Sequence, residues 1–233
     1  MKEKILELAL IVLLLLLASI ALWLTDADRL AIASWVPRDL SVAAVLPASS
    51  WAWPAGNVFP WNILYRWAAV PATLISIFAL AVLLLGFFTH RYAAWRRSAV
   101  FILLFIALGP GLIVNVLLKE HFGRARPREI VEFGGSHQFT QFWQPGDAGE
   151  NSSFPSGHAA IAFCVMAPWF ALREKHRVAA VGFLILGTIF GSLVGIARIL
   201  QGGHFVSDIL WAGGLIYLIG GALALLMRIS CVK

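Results

Sequence analysis

Apolar runs approaching the roughly 20 residues that cross ~30 Å of hydrocarbon recur along this chain. Six stand out, at 5–24, 67–88, 98–118, 157–172, 178–200 and 209–227, each bounded by charge, Pro or Gly. They predict an all-α, polytopic membrane bundle of six transmembrane helices, because a segment in lipid must satisfy its backbone N–H and C=O groups internally. Lys2 and Lys4 ahead of the first run resemble the start of a secretory leader. The run exceeds the ~7–15 apolar residues of a cleavable signal, however, and is read as a retained span. With no fixed-period repeat and no low-complexity tract, residues 1–233 read as one membrane domain.

Composition agrees with this reading and removes the water-soluble classes. Hydrophobic residues make up 60% of the chain and charged residues 13%, where a soluble domain has about half and about a quarter. The net charge of +6 does not indicate a nucleic-acid partner, because the basic residues sit at span ends rather than on one soluble face. Cys164 and Cys231 have no spacing that suggests a disulfide or metal framework.

Six spans would leave Lys2, Lys4, Arg91, Arg96, Arg97, Arg173, Lys175, Arg177, Arg228 and Lys233 in short segments on one side. Cytoplasmic loops retain such an excess, so both termini are expected in the cytoplasm, with segments 25–66 and 119–156 outside. The first outer segment interleaves Trp35, Trp51, Trp53, Trp61 and Trp67 with Pro37, Pro47, Pro54 and Pro60. It reads as an aromatic belt at the headgroup level in preference to a lipid-entry lid.

Three polar clusters lie at this same outer face. The first, Lys119 through Arg124 and Arg126 to Pro127, brings several cations out of the bilayer together and reads as an anion site. Snorkelling accounts for an isolated Arg91 or Arg173, but not for Pro127 stopping the helix directly after Arg126. His121, Arg124 and Arg128 either widen this site toward a second phosphate or a sugar headgroup, or are solvated loop residues. The second cluster is Phe154-Pro155-Ser156-Gly157-His158, in which Ser156 is expected to cap a helix whose free N–H groups suit a phosphate. The third runs from Arg198 through Gly202, Gly203 and His204 to Asp208. On a helix, the i, i+4 spacing of His204 and Asp208 would put imidazole and carboxylate on one face. Asp208 would then accept a hydrogen bond from one ring nitrogen and leave the other free to attack. His90, His137 and His176 receive no catalytic role. No Asp, Glu or His cluster has metal-ligand spacing, so neither a metal nor another cofactor is expected.

The order and spacing of these residues resemble the type 2 phosphatidic acid phosphatase family. Six residues separate Lys119 from Arg126-Pro127, then comes Pro155-Ser156-Gly157-His158, and five residues separate Arg198 from His204, with three more between His204 and Asp208. The resemblance covers Lys119 to Asp208, within a motif-bearing core of 98–228 formed by the last four helices. It implies that Lys119, Arg126, Ser156, Gly157 and Arg198 bind the phosphate. His204 would be the nucleophile, oriented by Asp208, and His158 the proton donor. The chain departs from the family at Ala197, where Ser usually precedes the Arg.

A membrane-embedded site argues for a phosphorylated lipid as partner. The continuation into Phe133-Gly134-Gly135 and Phe139 looks like bacterial members acting on lipid A, which implies an inner-membrane protein with a periplasmic site. Undecaprenyl pyrophosphate, phosphatidylglycerophosphate and phosphate transfer to a second lipid are the competing activities. A non-catalytic lipid transporter is the reading from another class, and would need at least one of His158, His204 and Asp208 to be dispensable. Vanadate-dependent haloperoxidases resemble the family in the same residues, but are largely soluble.

Overall fold

The computed structural model describes residues 2–28, 53–149 and 152–229. The Trp-rich segment up to residue 52 and the C-terminal Cys231 and Lys233 lie outside them. The described residues form helices and turns, with no strand: α1 (Lys2–Leu24), α2 (Trp61–Arg66), α3 (Val70–Phe88), α4 (His90–Ala93), α5 (Arg96–Ile106), α6 (Gly157–Phe163), α7 (Ala167–Leu172), α8 (Arg177–Leu200) and α9 (Val206–Leu226). Five helical stretches are long and apolar enough to cross a membrane: Lys2–Leu24, Trp61–Phe88, Arg96–Leu118, Arg177–Leu200 and Val206–Leu226.

The run predicted at 157–172 is helical but jointed, with a tighter turn at Cys164–Met166 ahead of Pro168. Proline cannot donate to the preceding turn. At ~1.5 Å rise per residue the rod reaches roughly 24 Å, short of a ~30 Å core. Past Ile106, α5 widens into i→i+5 turns over Ala107–Leu118. Pro110 lies inside this stretch, and Asn115 Nδ2 donates to the Pro110 carbonyl at 2.6 Å.

Small residues decide which helices meet. Lipid supplies no hydrophobic push between helices, so close approach at Gly gives association its dispersion energy. On α8, Gly187 faces the Met166 backbone, Gly191 the Phe163 ring and Gly195 Ile209, so that α6, α7 and α9 close onto one stripe. On α9, Gly214 receives Leu15 and Gly221 receives Leu8, which lays α1 antiparallel along it. Phe101, Phe105, Phe170 and Ile216 fill the centre, while Leu6, Phe78, Phe88 and Val178 stay on the surface, where lipid can meet them.

Charges collect at both ends of the bundle. At one end Lys4 pairs with Glu174 at 3.0 Å, and Arg173 with Glu7 at 2.8 Å. At the other end Asp28, Arg124, His204 and Asp208 are buried together. Polar residues that two-sided patterning separates in sequence are thus separated in space.

Candidate active site

The loop at 152–156 laces the three clusters together. Ser152 N and Oγ donate to the Lys119 carbonyl at 3.0 and 2.8 Å, and Ser153 N to the Arg124 carbonyl at 2.7 Å. Ser156 N donates to the Asp208 carbonyl at 3.3 Å, while its Oγ accepts from Ala159 N at 3.4 Å and caps α6 as the sequence suggested. A Cβ on Gly157 would press on the Asn115 side chain at its Oδ1.

Lys119, Arg126 and Arg198 are close enough for their charges to act on one another and on His158, and Lys119 and Arg198 act on His204 as well. The Lys119 ammonium is held below its ordinary pKa first by burial and then by Arg126 and Arg198. Converging, partly desolvated cations of this kind mark a place built for an anion. Arg198 is oriented by a hydrogen bond from Nη1 to Gln201 Oε1, and Gln201 Nε2 donates to the Gly56 carbonyl at 3.0 Å. The Arg198 guanidinium lies 4.7 Å above the Tyr65 ring, whose centroid is 4.7 Å from that of His158.

The His204–Asp208 relation differs from the expectation. His204 is not on a helix; it precedes α9, and Asp208 folds back to cap that helix, accepting from Phe205 N at 2.8 Å. Asp208 Oδ2 is 3.5 Å from His204 Nδ1, whereas the Ser153 carbonyl lies 2.7 Å from the same nitrogen. The carbonyl can only accept, so Nδ1 holds the ring proton and Nε2 keeps its lone pair. Ser153 therefore sets the tautomer, and Asp208 supplies a nearby fixed negative charge. Burial pushes the His204 pKa down to about 4; Asp208 opposes this, and Arg198 and Lys119 add to it. The imidazole is consequently neutral and nucleophilic near pH 7.

These motifs fall within the stretch where the sequence pattern of the PAP2 superfamily matches, residues 99–230. The chain belongs to the PAP2 superfamily. The lipid A 4′-phosphatase of Francisella tularensis subsp. novicida is 34% identical to this PAP2 chain over 148 residues, 62% of this chain and 64% of that protein. The lipid A 4′-phosphatase of Rhizobium leguminosarum is 34% identical over 117 residues, 48% of each. The chain thus spans from about half to just under two thirds of the length of these curated relatives. A solved transmembrane PAP2-type phosphatidylglycerolphosphate phosphatase of Bacillus subtilis has the same fold. It covers 95% of this chain and 94% of its own, with a TM-score of 0.54 and 20% identity.

Several residues of this PAP2 site were not legible in the motifs. Arg124 is not a solvated loop residue: it is fully buried beneath Asp208, donating from Nη1 to Asp208 Oδ1 at 2.6 Å and to Ser207 Oγ at 2.8 Å. Its Nη2 reaches Asp28 Oδ2 at 2.9 Å, and Asp28 Oδ1 accepts from Ser207 N at 2.8 Å. Ser153 Oγ donates to Asp208 Oδ2 at 2.5 Å. His121 is exposed, with Nδ1 bonded to the Leu117 carbonyl at 3.1 Å. Trp53 is buried, and its indole lies where a Cβ on Gly202 would stand.

A Cβ on Gly203 would overlap the Arg198 guanidinium. Gly203→Ala is expected to displace that group and lower kcat/KM by roughly 10²-fold, the scale set by an ~1 Å misplacement. Steady-state kinetics on protein with an unchanged thermal midpoint checks this; wild-type kinetics would refute it.

Proposed function

We propose that this PAP2 chain is a membrane-embedded phosphatase that removes phosphate from a phosphorylated lipid, lipid A in preference to others. The observation that carries the proposal is His204: its Nδ1–H is committed to the Ser153 carbonyl, which leaves the Nε2 lone pair free on a ring that feels the charges of Arg198 and Lys119. In the reaction Nε2 attacks phosphorus, the N–P bond forms and the P–O ester bond breaks. His158, charged once the phosphate dianion stands among the surrounding cations, protonates the departing alkoxide. The phosphorylated imidazole retains the Nδ1 proton and becomes cationic, a charge that Asp208 stabilises. Water, deprotonated by His158, then cleaves the N–P bond and regenerates His204. Lys119, Arg126 and Arg198, with the Ser156 hydroxyl and the Gly157 N–H, hold the charge spread over the phosphoryl oxygens.

The lipid A preference rests on the relatives named for that activity and on the continuation of the first motif to Phe139. Phe139 packs at 5.3 Å on Phe205, beside Arg124. In this proposal one membrane domain crosses six times, with the jointed 157–172 rod as the fourth crossing and the last four helices as the catalytic core. Both termini face the cytoplasm and the site faces the periplasm of a bacterial inner membrane.

The test is phosphate release by detergent-purified protein in EDTA from lipid A, undecaprenyl pyrophosphate, phosphatidylglycerophosphate and phosphatidic acid. Release is expected from lipid A at the highest kcat/KM and is expected to be unaffected by the chelator. A higher kcat/KM on another lipid would overturn the lipid A preference, and no release from any would overturn the phosphatase reading.

A further inference from the structure

Beside Arg198 opens a polar cavity of about 460 Å³ lined by Trp53, Asn57, Asn62, Tyr65, Arg66, Arg128, Arg198 and Gln201. Its volume is that of a small-molecule site, many times the ~30 Å³ of one water, so a single phosphate would leave most of it empty. Arg198 belongs to the catalytic cation cluster, and the cavity therefore shares a wall residue with the place where phosphate is cleaved. Arg66 and Arg128 add two guanidiniums beyond it. Arg128 is held by its backbone N–H on the Gly202 carbonyl at 3.2 Å, and its Nε lies 3.9 Å from Glu129 Oε1, too long for a tight pair.

A second observation identifies the ligand chemistry. Trp53 Nε1, Asn62 Oδ1 and Arg198 Nε are buried polar atoms with no hydrogen-bond partner among the described residues, and all three belong to residues lining this cavity. Buried polar groups are ordinarily satisfied. A phosphate dianion can answer the indole and guanidinium donors but not the Asn62 acceptor, which needs an O–H or N–H. Guanidinium forks select phosphate, whereas the mixture of donors and acceptors selects a hydroxyl-bearing ring.

We propose that this cavity is a second headgroup subsite, taking the sugar and the further phosphate of a polyphosphorylated glycolipid while Lys119, Arg126 and Arg198 hold the phosphate that is removed. The proposal rests on the lipid phosphatase reading for its catalytic half only. Arg66 and Arg128 grip the remote phosphate, and Asn62, Trp53 and Gln201 read the ring. Binding energy from this remote part of the substrate then discriminates among lipids that present the same scissile phosphate.

The experiment uses full-length protein in mixed micelles, comparing wild type with Arg66→Gln/Arg128→Gln. In the kinetic arm, the ratio of kcat/KM for bisphosphorylated lipid A to that for phosphatidic acid is expected to fall at least tenfold in the double variant, mainly through KM. In the binding arm, His204→Ala protein with and without the two substitutions is titrated with bisphosphorylated lipid A, and the dissociation constant is expected to rise at least tenfold. An unchanged ratio together with an unchanged dissociation constant would overturn the subsite. Weakened binding in the double variant, with no phosphate release by wild type, would keep the subsite and overturn the phosphatase reading alone.

Discussion

His204→Ala is expected to reduce phosphate release by about 10⁴-fold or more, the scale seen when a catalytic nucleophile is removed. At ~1.36 kcal/mol per tenfold this is over 5 kcal/mol of transition-state stabilisation. The loss should fall on kcat, because the cations that bind the ground-state phosphate remain in place. A covalent intermediate gives a sharper readout than rate. Wild type quenched during turnover of ³²P-labelled lipid is expected to carry an acid-labile, base-stable label, and His204→Ala none. His158→Ala should behave in the opposite way on an aryl phosphate, whose leaving group departs without a proton. There His204 is still phosphorylated, but hydrolysis lacks its base, so label accumulates. Label on His204→Ala, or wild-type turnover by it, would end the assignment.

The residues on which this prediction rests were legible because each lies in a short motif at a span end, where a polar group stands out against an apolar background. Lys119, Arg126, Ser156, Gly157, His158, Arg198, His204 and Asp208 all meet at one end of the bundle. What held them was not legible. The i, i+4 spacing suggested a shared helical face, but Asp208 turns back to cap α9, and the tautomer of His204 is set by Ser153, 51 residues away. Asp28 reaches Ser207 across 179 residues, a contact no local pattern encodes. Tyr65, between Arg198 and His158, likewise carries no signal in its own neighbourhood. The five longest spans were evident from hydropathy alone. The jointed rod was not evident as such, since a run of apolar residues is silent about a break before Pro168.

Arg124→Met is expected to destabilise the fold by about 3–5 kcal/mol, the cost of leaving buried charge without its partner. The guanidinium bridges two carboxylates that are themselves nearly solvent-free, Asp28 and Asp208. Methionine keeps apolar contact with Phe205, over whose ring the guanidinium sits at 4.2 Å, so most of the effect is electrostatic. The N-terminus of α9 offsets part of the negative charge through Phe205 N and Ser207 N, but it cannot neutralise two carboxylates. In a thermal scan of detergent-solubilised protein the midpoint should drop by roughly 10 °C. Asp28→Asn removes one of the stranded charges, so the double variant Asp28→Asn/Arg124→Met should recover about half of the loss, and the departure from additivity measures the coupling. Below the midpoint, where Arg124→Met is still folded, kcat should fall more than KM changes. Asp208 would have lost the bond that fixes it 3.5 Å from His204 Nδ1, and with it the stabilisation of the cationic phosphoimidazole. A midpoint within a degree of wild type would show that helix dipole and hydrogen bonds alone support both carboxylates. A lowered midpoint with unchanged kcat would confine Arg124 to stability and detach it from the chemistry of His204.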